Sequence, residues 1–320
     1  MRGLHLIVPG LASWRDSPHS EAVALPGLAR LLARGRKIDG ETGLTEQLCQ
    51  AFGVARQQDH PLAPICAEYE GVTVGHDYWL RADPVHLHVG MRGMTLLDSQ
   101  HIGLTTEEAQ SLAATLAPLF AAAGWQLHAA RHDRWYIHSE QAIRLTTTPL
   151  DQVNTRLMNS SLPTGQSAAR IMRLLNDAQV VLHDHPVNQS REARGQHPVN
   201  SLWLWGGGHR SAVQSRYRLV LAGQIEALAL AAGSHTDSGP CPQRLADLPR
   251  VESALVVLPE FPAHAESAVA TQLDTDWFKP LLQALRLGRI RQVHLALTGQ
   301  EGSNLQLTAL DAWKVWKTAK

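Results

Sequence analysis

The stretch from 183 to 208 concentrates side chains that can handle an anion. It reads His185-Pro186-Val187-Asn188, then Arg191, Arg194-Gly195, Pro198-Val199-Asn200 and Trp203-Leu204-Trp205-Gly206-Gly207-Gly208. Guanidinium forks match the oxygens of phosphate or carboxylate, and glycines let a backbone approach an anion closely. A loop between a helix and an apolar strand is where open α/β sheets usually take ligands. His185, Asn188, Arg191, Arg194 and Asn200 are therefore a candidate anion site, expected to converge near a sheet rim and to suit a phosphorylated small molecule. The competing reading is structural. His185 and Asn188 would cap the preceding helix, and the arginines would pair with acids such as Glu192 and Asp184.

Other clusters carry less. His86 and His88 lie two apart on an expected strand, so they share a face, but no third ligand is near in sequence and a surface strand explains them as well. His183-Asp184-His185 ends a helix, where a positive imidazole complements the dipole. Gly206-Gly207-Gly208 follows a strand but lacks the lysine and spacing of a phosphate loop.

The elements around these residues alternate. Leu4 to Val8 is an apolar run closed by Pro9-Gly10, as in a central parallel strand. Pro26 to Arg34 has helical spacing and stops at Gly35, and a second helix is expected over 44–52. Val85 to Val89 alternates with period two, Thr95 to Asp98 is a second strand, and Thr105 with Glu107 and Glu108 opens a helix to about 123. A hairpin follows over 125–138. A helix over 168–182 leads to a strand at 201–205, with further strands near 218–222, 254–258, 293–297 and 304–308. Helices between strands predict an α/β fold, a mostly parallel sheet covered on both faces. Two strands, a helix and two strands within 71–159 predict an inserted α+β domain, which leaves 1–70 and 160–320 as the core.

Composition narrows the function. The 320 residues hold 29 basic and 29 acidic side chains, 44% are hydrophobic and 18% charged. That is a globular balance without the basic excess of a nucleic-acid binder. The three cysteines, Cys49, Cys66 and Cys241, are far apart and form no CxxC pair, which fits a reducing compartment. No run approaches the roughly 20 apolar residues of a membrane helix. A soluble, cytoplasmic protein without nucleic-acid or membrane partners is expected.

The block from His185 to Gly208 resembles the archaeal-type cofactor-independent phosphoglycerate mutases, of the alkaline phosphatase superfamily. Pro26 to Gly35 is similar to that family's first helix, Arg81-Ala82-Asp83 and Leu104 to Ala109 to landmarks of its inserted domain, and Asp274, Trp277 and Lys279-Pro280 to its late helix. The resemblance implies an alkaline-phosphatase-like core with a small inserted domain. It also implies two divalent metals, manganese or zinc, and a phosphorylated serine or threonine nucleophile. Ser17, before Pro18, stands where that nucleophile is expected, with Ser20 as the competing choice.

Against the family pattern the metal ligands are thinned. Its first strand ends Pro-Asp-Gly, where this chain has Pro9-Gly10-Leu11. Its last core strand ends Asp-His, where this chain has Thr298-Gly299-Gln300. Glu260, His264 and Glu301 remain as weak metal candidates. Losing several direct ligands should abolish a two-metal site, since removing even their supporting partners costs 10–100-fold. The expectation is a mutase-like protein that is not catalytic, needs no cofactor, and is regulatory or binds a phosphometabolite. Similar bacterial chains go under the names regulatory protein or phosphoglycerate mutase. One alternative is an active metal-dependent mutase or phosphatase with ligands rebuilt from Asp16, His19, Glu260, His264 and Glu301. Another is an interaction module using nine tryptophans as a partner surface.

Overall fold

The computed structural model describes all residues except 18, 19, 21, 22, 91, 92, 142, 154–160, 263, 300, 301 and 318–320. The chain divides into two units: Met1–Gly53 with Val213–Lys320, and Val54–Ala212.

In chain order the first unit begins with β1 (Gly3–Val8), α1 (Leu11–Arg15), α2 (Pro26–Arg34), β2 (Arg36–Ile38) and α3 (Leu44–Ala51). The second unit follows with α4 (Leu62–Tyr69), β3 (Tyr78–Gly90), β4 (Gly93–Leu97), α5 (Ser99–Ile102) and α6 (Thr106–Ala122). It continues through β5 (Gln126–Ala129), β6 (Trp135–Ser139), α7 (Ala168–His183), α8 (Pro186–Ala193) and β7 (Ser201–Gly208). The chain then re-enters the first unit with β8 (Leu219–Leu221), α9 (Ile225–Gly233), β9 (Asp237–Gly239) and β10 (Ser253–Val257). It closes with α10 (Ser267–Leu273), a π-helical turn over Asp274–Phe278, α11 (Lys279–Arg286), β11 (Gln292–Leu297), β12 (Ser303–Thr308) and α12 (Ala309–Ala312).

The first unit is the expected α/β core. Its sheet runs β2-β12-β11-β1-β10-β8-β9, parallel from β11 to β9, with β12 and β2 added antiparallel at one edge. Leu4, Leu6 and Val8 of β1 and Val293, Leu295 and Leu297 of β11 point to one face, where they join Leu28, Leu31, Leu281 and Leu285 of α2 and α11 in a single core cluster. Asp274 anchors α2 to the late helix by accepting from Leu28 N at 2.8 Å and Gly27 N at 3.1 Å. A carboxylate on the first N–H groups of a helix satisfies donors that have no intrahelical partner.

The second unit is α+β and larger than expected. Its strands are all antiparallel, β4-β3-β6-β5, with β7 also paired to β3. This corrects two expectations. The strand at 201–205 is not part of the parallel sheet, and the insert does not stop at 71 and 159. The reason lies in the apolar faces. Ile171, Leu174, Ala178 and Leu182 of α7 and Leu202 and Leu204 of β7 bury against Leu112, Leu116 and Phe120 of α6. At the other boundary, Glu70 accepts from Arg134 Nε at 2.7 Å and from the Tyr136 hydroxyl, so α4 closes on β6. Arg81 and Asp83 form a buried ion pair at 2.9 Å, and Trp205 Nε1 donates to Asp83 at 2.8 Å, which ties β7 to β3. Thr105 caps α6 with a reciprocal Thr105–Glu108 capping box, as its sequence indicates.

Seven of the nine tryptophans are buried, and only Trp313 and Trp316 are exposed, at 57% and 74%. Most of the aromatic content therefore builds cores rather than a partner surface. Among the described residues no helix is long and apolar enough to cross a membrane.

Candidate functional site

The carboxyl ends of β1, β10 and β11 are where a parallel sheet offers a site. Here the main chain stitches those ends together. Phe261 N donates to Pro9 O at 2.8 Å, Leu258 N to Ile7 O at 3.0 Å, Thr298 N to Val8 O at 3.2 Å and Ala12 N to Thr298 O at 3.3 Å. Gly10 has φ of 75° and leads into α1, and a Cβ at this position would lie 2.4 Å from the carbonyl oxygen of Phe261. Gly299 has φ of 139°, and its Cβ would lie 2.5 Å from Ser13 Oγ and 2.8 Å from Ser13 N. Both backbone conformations suit glycine, and any larger residue would have to displace neighbouring atoms.

Among the described residues the other candidates do not gather into a ligand set. Glu260, His264 and Asp16 are exposed. Ser17 turns its hydroxyl back, donating to Trp14 O at 2.6 Å, and Ser20 Oγ donates to Ser17 O at 2.9 Å. His19, Gln300 and Glu301 lie outside the described residues. Among the described residues no group of three His, Cys, Asp or Glu side chains could hold a metal ion.

The residues of the 185–200 segment all belong to the second unit. Arg191 is fully buried. Its Nε donates to His197 O at 3.0 Å, one terminal nitrogen donates to Ile102 O at 2.6 Å, and the other donates to Glu108. Arg194 donates to Glu108 at 2.7 Å, Gln196 at 3.0 Å and Ser190 at 3.1 Å. Asn188 ties the two ends of its loop together, donating to Leu182 O and Val199 O at 2.7 Å each and accepting from Val199 N at 2.9 Å. Asn200 exchanges hydrogen bonds of 2.8 Å with Leu87 N and O. His185 caps α8 by accepting from Val187 N at 3.2 Å, and its Nε2 meets Thr115 Oγ1 at 3.0 Å. The two arginines meet at Glu108, while Asn188, Asn200 and His185 reach other segments.

Glu108 is the common acid, not Glu192 or Asp184. Burial alone would raise its carboxyl pKa, but the Thr105 N–H and the two arginines hold it below the ordinary range. Gly207 explains the glycine run. A Cβ there would fall 2.5 Å from the Tyr78 hydroxyl and 2.7 Å from Leu80, so the run serves close packing against β3. His86 does gain a third imidazole, His197 at 4.8 Å between ring centres, but its Nδ1 is engaged with Pro198 O at 2.9 Å.

Two residues escaped the sequence reading. His5 of β1 and His294 of β11 are cross-strand neighbours on the face of the sheet opposite the α2 and α11 core, their rings stacked at 4.0 Å and 14°. Tyr217 O–H meets His5 Nδ1 at 2.8 Å. The available signal was a histidine inside each otherwise apolar strand, Leu4-His5-Leu6 and Val293-His294-Leu295.

Comparison with known proteins agrees with the fold. A probable 2,3-bisphosphoglycerate-independent phosphoglycerate mutase of Geobacter sulfurreducens is 27% identical over 199 residues, which is 60% of this chain and 49% of that protein. The chain is phosphoglycerate-mutase-like. This mutase-like chain spans about half the length of that relative. A 2,3-bisphosphoglycerate-independent phosphoglycerate mutase of Methanosarcina mazei is 36% identical over 62 residues, 19% of this chain and 16% of the relative. Among solved structures, the PH0037 protein of Pyrococcus horikoshii matches with a TM-score of 0.51 and 12% identity, covering 96% of this chain and 87% of that one, which bears on the fold alone. No protein-family profile matches the chain.

Proposed function

We propose that this mutase-like chain carries out no phosphoglycerate mutase chemistry and acts by binding, as a regulatory or metabolite-sensing relative of the enzymes. The closure of the strand ends supports this reading. A two-metal site needs carboxylates projecting from those ends to neutralise phosphoryl charge. At the two positions corresponding to the family's aspartates, Gly10 and Gly299, a side chain would run into Phe261 and Ser13. The residues present do not fit a metal pair, because carboxylates placed there would require the main chain to move.

The 185–200 segment supports the same reading from the other unit. Its guanidinium and amide groups hold loops and caps, so its match to the family reflects a shared scaffold rather than a retained substrate grip. Calorimetric titration with manganese and with zinc, followed by elemental analysis of the dialysed protein, tests the proposal. The expected result is less than one tightly held ion per chain. Two ions per chain, held through dialysis, would overturn it.

A further inference from the structure

The chain as a whole carries equal numbers of basic and acidic residues, but one cavity of its first unit does not. It holds about 450 Å³, within the range of small-molecule sites, and its walls include Arg34, Arg36, Lys314 and Lys317. Asp311 is the one acid that lines it among the described residues, so four cations face a single carboxylate. The remaining lining there is glycine, threonine and glutamine, without an aliphatic or aromatic side chain.

Arg34 is 5% exposed. It stands in the last turn of α2, where a cation complements the partial negative charge of the helix end. Its Nη1 donates to Ala312 O at 2.7 Å, and Arg286 Nε donates to the same oxygen at 3.1 Å. Two guanidinium groups therefore share one neutral carbonyl. No carboxylate pairs with Arg34 among the described residues. Burial pushes its pKa down, and the positive Arg286 and Arg30 push it the same way. A guanidinium does not give up its proton in a protein, so the charge stays. Burying a charge without a counter-charge is costly, and an anion in the cavity that Arg34 lines would relieve that cost.

The carboxylate of the cavity is committed elsewhere. Asp311 accepts from Thr308 N at 2.9 Å, Thr308 Oγ1 at 2.7 Å and Lys314 Nζ at 2.5 Å. Burial alone would raise its pKa, but these donors hold it below the ordinary range, so it remains a charged partner for Lys314. Arg36 and Lys317 are exposed. Arg36 gives one terminal nitrogen to Gln306, and neither residue has an ion pair among the described residues. These two can close directly on a ligand, while Arg34 supplies a fixed positive charge.

The lining narrows the class of ligand. Its charge repels a metal ion, and a nucleotide base or an acyl chain would find no apolar wall. A single phosphate would fill little of the space and reach few of the four cations. We infer that this cavity is a binding site for a compact polyanion of linked anionic groups, the class of the short polyphosphates. The inference rests on the binding role proposed above and gives it a ligand class. The two fail separately, because neither Gly10 nor Gly299 lines the cavity.

Calorimetric titration of the full chain at pH 7.5 with tripolyphosphate and with orthophosphate tests the inference. Saturable binding of tripolyphosphate below millimolar concentration is expected, with none for orthophosphate over the same range. Arg36→Glu and Lys317→Glu, both at exposed positions, should each weaken tripolyphosphate by about 10-fold, the loss expected for one charge-assisted hydrogen bond. Arg250→Glu makes the same charge change at an exposed residue that does not line the cavity, and should keep the affinity within about 2-fold because solvent screens it. Tripolyphosphate should also raise the melting temperature of the wild type by more than that of Lys317→Glu. No binding of tripolyphosphate at millimolar concentration, full affinity in either cavity variant, or equal weakening by Arg250→Glu would overturn the inference.

Discussion

The 185–200 segment and the amino ends of the parallel strands both bury polar side chains, but they treat them differently. Every nitrogen of Arg191 meets an acceptor of its own chain, and Asn188 and Asn200 close loops with both ends of their amides. His5 bonds Tyr217 through Nδ1, while its buried Nε2 and that of His294 have no hydrogen-bond partner among the described residues. A buried polar group that is fully paired stabilises the fold, while an unpaired one costs stability. Residue type alone does not separate these cases. Arginines and asparagines suit a ligand grip by type, yet here their own chain saturates them.

The largest expected effect comes from breaking the saturated region. Arg191→Ala should lower the unfolding free energy by about 3–5 kcal/mol, the usual cost of removing one partner of a buried charged network. Denaturant unfolding measures it, and a loss below about 1 kcal/mol would mean that Arg191 is not the hub described here. Phosphate at millimolar concentration should not bind the wild type calorimetrically. Binding that vanishes in Arg191→Ala would instead restore the anion reading.

Gly10→Asp tests the closed strand ends. A left-handed non-glycine backbone costs roughly 1–3 kcal/mol, and the contact with Phe261 O adds to it. Thermal melting should show destabilisation with no gain of manganese affinity. A stable variant that binds manganese would show the site to be vacated rather than closed.

The two regions should also part in acid. His5 and His294 have pKa values lowered from 6.5, chiefly by burial, so the folded protein holds them neutral. Unfolded imidazoles take up protons as pH falls through about 6.5. This contribution to stability is therefore complete above that pH and is lost on acidification toward the folded values. Between pH 7.5 and 5 the melting temperature should fall more steeply in the wild type than in His5→Phe. Parallel curves would show that His5 is not held neutral.

The smallest effect is expected at Arg194, which pairs with Glu108 from a half-exposed position. Arg194→Ala should cost about 0–1 kcal/mol in the same unfolding assay. A loss as large as that of Arg191→Ala would mean the two arginines share one buried network.

Much of the fold was legible because local signals and packing agree. The capping box at Thr105 and Glu108, the stop at Gly35 and the apolar run of β1 each had a physical reason visible in a few residues. The unit boundary was not, because the apolar stripe of α7 suits any sheet equally well, and only the pairing of β7 with β3 decides its partner. Glycine at Gly10 and Gly299, where the resembled family carries aspartates, is readable in the sequence. The closure of the strand ends is not, since it depends on where Phe261 and Ser13 fold back. The histidine pair was hidden because the register of β1 on β11 is set by the whole sheet, and sequence placed its members 289 residues apart.

The most direct measurement of the central claim is a mutase assay on the purified chain with 3-phosphoglycerate and manganese, run beside Ser17→Ala. No turnover above the protein-free blank is expected from either protein. Manganese-dependent turnover by the wild type that disappears in Ser17→Ala would contradict the account, because it would require the closed strand ends to open around a working metal site.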